Sequence, residues 1–71
     1  MSLAVVQPGT QVRLLSIEGG HTLQGRLSAL GFLPGVEIEV LQNNFGGPLI
    51  IKIRGSRMAL GRGMAQKLIV A

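Results

Sequence analysis

The stretch SALGFLPGVEIEV, Ser28–Val40, decides how this chain folds. It passes from an apolar segment with helical spacing, through Gly-Phe-Leu-Pro-Gly, into strict alternation of apolar and polar residues. A helix must therefore stop and a strand must start within a few residues. Gly31 is placed to be the left-handed residue that closes a helix. Leu33-Pro34-Gly35-Val36 fits a type II turn, with proline second and glycine third, where a positive φ is needed. Phe32, held between these two devices, is directed inward as an aromatic anchor.

Working upstream, Leu23, Leu27 and Leu30 recur at helical spacing and mark one apolar face, with Gln24, Arg26 and Ser28 outward. Thr22 stands where an N-cap is expected, and Gly25 weakens the helix by roughly 1 kcal/mol relative to alanine. Before it, Gln7-Pro8-Gly9-Thr10 reads as a turn that launches a strand. In that strand Val12 and Leu14 share a face, but Leu15 and Ile17 fall out of phase, which predicts a bulge.

Downstream, Val36, Ile38 and Val40 alternate with Glu37, Glu39 and Leu41. After the loop QNNFGGP, Leu49, Ile51 and Ile53 alternate with Ile50, Lys52 and Arg54. Pairing the two core faces sets Ile38 beside Ile53 and Val40 beside Ile51. The same register sets Glu39 beside Lys52 and Glu37 beside Arg54, two opposite-charge pairs, and leaves Leu41 against Ile50 as an outward apolar pair. Met58 and Leu60 belong to a further strand, GRGMAQK to a short helical turn with Ala65 inward, and Leu68 and Val70 to a last strand. About five antiparallel strands with one short α-helix describe a mainly β protein, a small SH3-like barrel. We read residues 1–71 as a single domain, with residues 1–8 partly flexible.

Composition narrows the function. The chain is 46% hydrophobic and 14% charged, with no cysteine and one histidine. Disulfides and thiolate metal sites are therefore excluded. No apolar run approaches the roughly 18–20 residues of a membrane span, no signal-peptide pattern opens the chain, and the cytoplasm is the expected location. No enzyme is expected, since Ser16, Ser28 and Ser56 lack any activating motif and no second histidine orients a base. No cofactor is expected either, because His21, three scattered glutamates and the thioethers of Met58 and Met64 make no ligand set. The net charge of +4 favours anionic partners. Arg54, Arg57, Arg62 and Lys67 concentrate it. Nucleic acid is nevertheless not expected, because Phe32 and Phe45 are the only aromatics and one of them is core.

The ordered set Arg26-Leu27, Leu30-Gly31-Phe32, Pro34-Gly35, Gly47-Pro48, Ile51, Gly55, Ala59-Leu60, Ala65 and Val70 resembles the signature of the FeoA family of small ferrous-iron-transport proteins, over most of the chain from about Val12. The resemblance implies an SH3-like accessory or regulatory protein of ferrous iron uptake. Its partner would be the cytosolic side of the FeoB-type permease, a membrane protein with a GTPase domain. It also implies kinship with the C-terminal domain of iron- and manganese-responsive repressors, so a stand-alone homologue of that domain is the alternative; a small basic nucleic-acid-binding barrel is the more distant one. The family is associated with metal binding, for which this chain offers no ligand set. Having no span, the chain does not insert in the membrane and would act by protein–protein contact. The candidate contact residues are Leu30, Gly31, Phe32 and Pro34, where the family's distinctive residues lie, with Leu41, Ile50, Arg54, Arg57 and Arg62. The apolar outer pair and free strand edges also allow a weak homo-oligomer.

Overall fold

A computed structural model describes residues 1–44 and 46–71; Phe45, the second aromatic named above, lies outside the described residues. Five strands, β1 (Gln11–Ile17), β2 (Glu37–Asn43), β3 (Leu49–Ile53), β4 (Ser56–Leu60) and β5 (Leu68–Val70), form one antiparallel sheet in the order β4-β3-β2-β1-β5. Helix α1 (His21–Ala29) joins β1 to β2, and α2 (Arg62–Ala65) joins β4 to β5. The sheet curls around a single core built from the inward phase of every strand, with Leu27 and Phe32 added from the α1 end.

The expected alternation is observed. Val12 and Leu14, Ile38 and Val40, Leu49, Ile51 and Ile53, and Leu68 and Val70 are all buried, and Ala65 of α2 joins them. Ile38 pairs with Ile53, Glu39 with Lys52 and Val40 with Ile51. The predicted slip in β1 is a register shift between Leu14 and Ser16. β1 pairs with β2 through Gln11–Arg13 and with β5 through Leu14, Ser16 and Ile17.

Three local expectations are corrected. Leu41 does not oppose Ile50: a second irregularity between Val40 and Gln42 places Gln42 opposite Ile50, and Leu41 is the extra residue that lets β2 bend. Glu37 pairs across to Arg13 rather than Arg54, because Arg54 has left the strand for the turn. Helix α1 begins one residue before Thr22, with Gly20 in the cap position and no side-chain cap.

The segment 1–8, where partial flexibility was expected, contributes Leu3 and Val6 to the core. A short 3₁₀ turn, Leu3–Val5, is capped by the Ser2 hydroxyl, which accepts from the Ala4 N–H at 3.0 Å. Asn43 Nδ2 donates to the carbonyls of Ala4 at 3.0 Å and Val6 at 2.8 Å. Arg62 Nη1 donates to Ala4 O at 3.3 Å, while its Nη2 donates to Asn43 Oδ1 and Asn44 O, both at 2.7 Å. Apart from Ser2, the partners of this segment, Asn43 and Arg62, are remote in sequence, so residues 1–8 alone do not announce them.

Candidate functional site

The site is built where α1 stops. Gly31, at φ 101°, donates its N–H to Ser28 O, and Phe32 donates to Leu27 O, each at 3.0 Å. These two bonds are the Schellman closure, satisfying carbonyls the helix leaves open. Val36 N–H then donates to Leu33 O at 3.0 Å with Gly35 at φ 88°, closing the type II turn. The double reversal turns Phe32 inward to complete burial and turns its neighbours out: Leu30 is 56% exposed and Leu33 is 46% exposed. Leu30 had been expected on the buried helix face. It is the cap residue, beyond the last helical turn, and Phe32 fills the core place that the spacing assigned to it.

A second element meets this knuckle. Between paired Ile53 and Ser56, Arg54 and Gly55 both have positive φ, 51° and 81°. Two positive φ values in a two-residue hairpin loop define a type I′ turn, where asparagine or glycine normally takes the first place. Arg54 is the only non-glycine residue with positive φ among the described residues. Its stem lies over the helix stop: a Cβ built on Gly31 would come within 3.2 Å of Arg54 Cδ. Gly31 thus serves both the left-handed turn and the close passage of an arginine.

Beside the turn is an open cleft of about 330 Å³, lined among others by Glu37, Glu39, Lys52 and Arg54. Arg13 holds Glu37, Nη2 donating to Oε1 at 2.9 Å and Nη1 to Gly35 O at 3.1 Å. The Arg54 guanidinium makes no ion pair or hydrogen bond among the described residues. The surface therefore offers two exposed leucines and one uncommitted cation held together by two adjoining turns.

The other candidate residues lie apart from this face or beneath it. Pro34 is exposed at the tip of the type II turn. Phe32 is core and supports the face without being reachable. Leu41 and Ile50 are both half-buried and are not neighbours across the strands. Arg57 is exposed on β4, whereas Arg62 lies beyond the far end of that strand, spent on the N-terminal segment. Of the basic residues grouped from sequence, Arg62 is thus committed within the fold. Arg13 was missed, and Leu33 was not singled out within the Leu30–Gly35 stretch; a leucine entering a Pro-Gly turn, outside the alternation of the strand that follows, was the available signal.

Metal fits poorly. Among the described residues no three His, Cys, Asp or Glu side chains converge. His21 is exposed at the start of α1, and Met58 and Met64 pack half-buried against the core.

The whole chain, residues 1–71, matches the family model described as the FeoA domain. A protein of Methanocaldococcus jannaschii with the provisional name Fe(2+) transport protein A is 37% identical over 68 residues, 96% of this chain and 82% of that one. Among solved structures, an iron uptake regulatory protein (FeoA) superposes with a TM-score of 0.92 at 36% identity, covering 99% of this chain and 93% of that chain. The zinc-complexed FeoA of Stenotrophomonas maltophilia, described as a prokaryotic SH3 domain protein, gives 0.88 at 26% identity, covering 100% and 89%. At 18% identity a manganese-dependent transcriptional repressor shares the fold, this chain covering 39% of it with a TM-score of 0.85.

Proposed function

Since the chain belongs to the FeoA family of ferrous iron transport proteins, we propose that it is a cytoplasmic, non-catalytic accessory of ferrous iron uptake that acts by docking on the cytosolic side of a FeoB-type permease. One observation carries the reading: Leu30 and Leu33 stand exposed beside Arg54, which is kept in a strained left-handed conformation over Gly31. An L-residue in that region costs roughly 1–2 kcal/mol, and strain of this kind gathers at functional sites. Arginine is among the residues enriched at interface centres, and the two exposed leucines beside it supply apolar area for a partner to cover. No helix of the described residues is long and apolar enough to cross a membrane, so an accessory role suits the chain better than a conducting one.

The test is a titration into the cytosolic domain of the cognate permease, with a Leu30→Lys/Leu33→Lys variant. Saturable binding by the native protein, weakened at least tenfold in a variant that melts normally, is the expected result. Equal binding by both would remove this face from the interaction. Binding to a short RNA alone, vanishing with added salt, would refute the reading. The repressor-like fold supplies an alternative at the level of fold only.

A further inference from the structure

The two outer strands of the sheet are finished differently. β5 is covered: Val70 N–H donates to Met1 O at 2.7 Å, and Ser2 forms an isolated bridge with Ile69. β4 pairs with β3 alone. In a two-residue hairpin the residues flanking the loop, Ile53 and Ser56, exchange their main-chain bonds. Met58 and Leu60 then also face β3, while Arg57 and Ala59 direct their N–H and C=O groups away from the sheet. Among the described residues these outward groups have no backbone partner, and both side chains are exposed. Of the usual protections the strand carries one charged side chain, Arg57, and lacks two others. β4 holds no proline, and its five partner pairs, Leu49↔Leu60 to Ile53↔Ser56, run without a bulge.

The side chains indicate what this edge would accept. On the outer face the pairings line up as Gln11, Glu39, Lys52 and Arg57 in one cross-strand row. Lys52 and Arg57 are like charges directly opposite, an unfavourable arrangement. Glu39 relieves Lys52 from the other side, but no acid stands beside Arg57. The row is completed by a carboxylate on an added strand. Two residues along, the row Gln42, Ile50 and Ala59 ends on a small side chain that leaves Ile50 half-buried. An apolar side chain there would cover it.

We propose that β4 receives an extended acidic segment of a partner protein as an additional antiparallel strand, with a Glu or Asp opposite Arg57 and an apolar residue, two places earlier in that segment, opposite Ala59. Main-chain bonds to Arg57 and Ala59 supply the attachment, and the two side-chain rows supply register and selectivity. This surface is distinct from the Leu30–Leu33 face, and its test does not involve the permease.

The probe is the capped peptide Thr-Thr-Val-Val-Glu-Val-Thr, with its Glu→Lys counterpart, titrated into ¹⁵N-labelled full-length protein. Saturable shifts centred on Arg57–Ala59, with slowed exchange of those two amides, are expected for the Glu peptide. Arg57→Glu should reverse the preference, favouring the Lys peptide by roughly fivefold, as direct cross-strand charge pairs allow. Ala59→Pro, which an edge strand tolerates but which removes one outward donor, should abolish binding while the other resonances stay in place. Absence of shifts at millimolar Glu peptide, or equal affinity for both peptides, overturns the proposal. So does concentration-dependent protection of β4 in the protein alone with a doubled mass by light scattering, because the occupant would then be a second copy.

Discussion

Replacing Arg54 by asparagine should make the protein more stable and less able to bind. Arg54 occupies the first place of a type I′ turn at φ 51°, where an L-residue other than asparagine or aspartate carries roughly 1–2 kcal/mol of strain. Asparagine relieves about 1 kcal/mol of this. Against the gain stands the loss of the arginine stem over Gly31, where Cδ would lie only 3.2 Å from an added Cβ. Arg54 is exposed, so less than one fully buried methylene, about 0.8 kcal/mol, is forfeited. The net gain is about 0.5 kcal/mol, and at ~4–8 °C per kcal/mol for a domain this small, Tm should rise by ~2–4 °C. Differential scanning calorimetry measures that directly, and titration against the permease domain should show weaker binding by the same variant. Gly55→Ala is the opposing control: φ is 81°, and a side chain there should destabilise by about 1 kcal/mol or more. A fall in Tm for Arg54→Asn would refute the strain argument. Undiminished binding would refute the reason offered for keeping the strain.

Phe32→Ala removes a fully buried aromatic and should cost about 3–5 kcal/mol, most of the stability of so small a domain; a urea midpoint lowered by less than a third would contradict its place as anchor. Arg62→Met should cost about 1.5–3 kcal/mol, since three carbonyl acceptors lose a charged donor, and the Val6 amide should exchange faster; unchanged exchange would mean the N-terminal segment holds itself. Arg13→Gln should cost under about 1 kcal/mol, because the Arg13–Glu37 pair is 63% and 59% exposed, and the effect should shrink in high salt.

The sequence made the barrel legible where two signals agreed. Alternation over Val36–Val40 and Leu49–Ile53 set the β2–β3 register, and the Gly31 and Pro34-Gly35 devices located the helix stop; both read correctly because period and turn chemistry are local. The bulge at Leu41 was not legible, since nothing in Val40-Leu41-Gln42 distinguishes a bulged leucine from a paired one; only the curvature of the folded sheet selects it. Glycine at the cap of α1 outcompeted Thr22, because Gly19-Gly20 could make the turn two residues earlier. The docking face was half legible. Leu30 and Arg54 were candidates on separate grounds, but their neighbourhood depends on Arg54 adopting a positive φ that arginine seldom takes. Arg62 was misjudged as surface charge because its acceptors, Ala4, Asn43 and Asn44, are remote in the chain.

The kinked first strand has a kinetic consequence. β2, β3 and β4 form a meander joined by short turns, so each pairing closes only a small loop. β1 and β5 meet across the whole chain, Leu14 against Val70, and the entropy of that closure must be met before its contacts help. The meander is thus the natural nucleus. Residues of β5 and of β1 beyond its kink should consolidate after the rate-limiting step, so substitutions there will chiefly quicken unfolding and leave the folding rate nearly untouched.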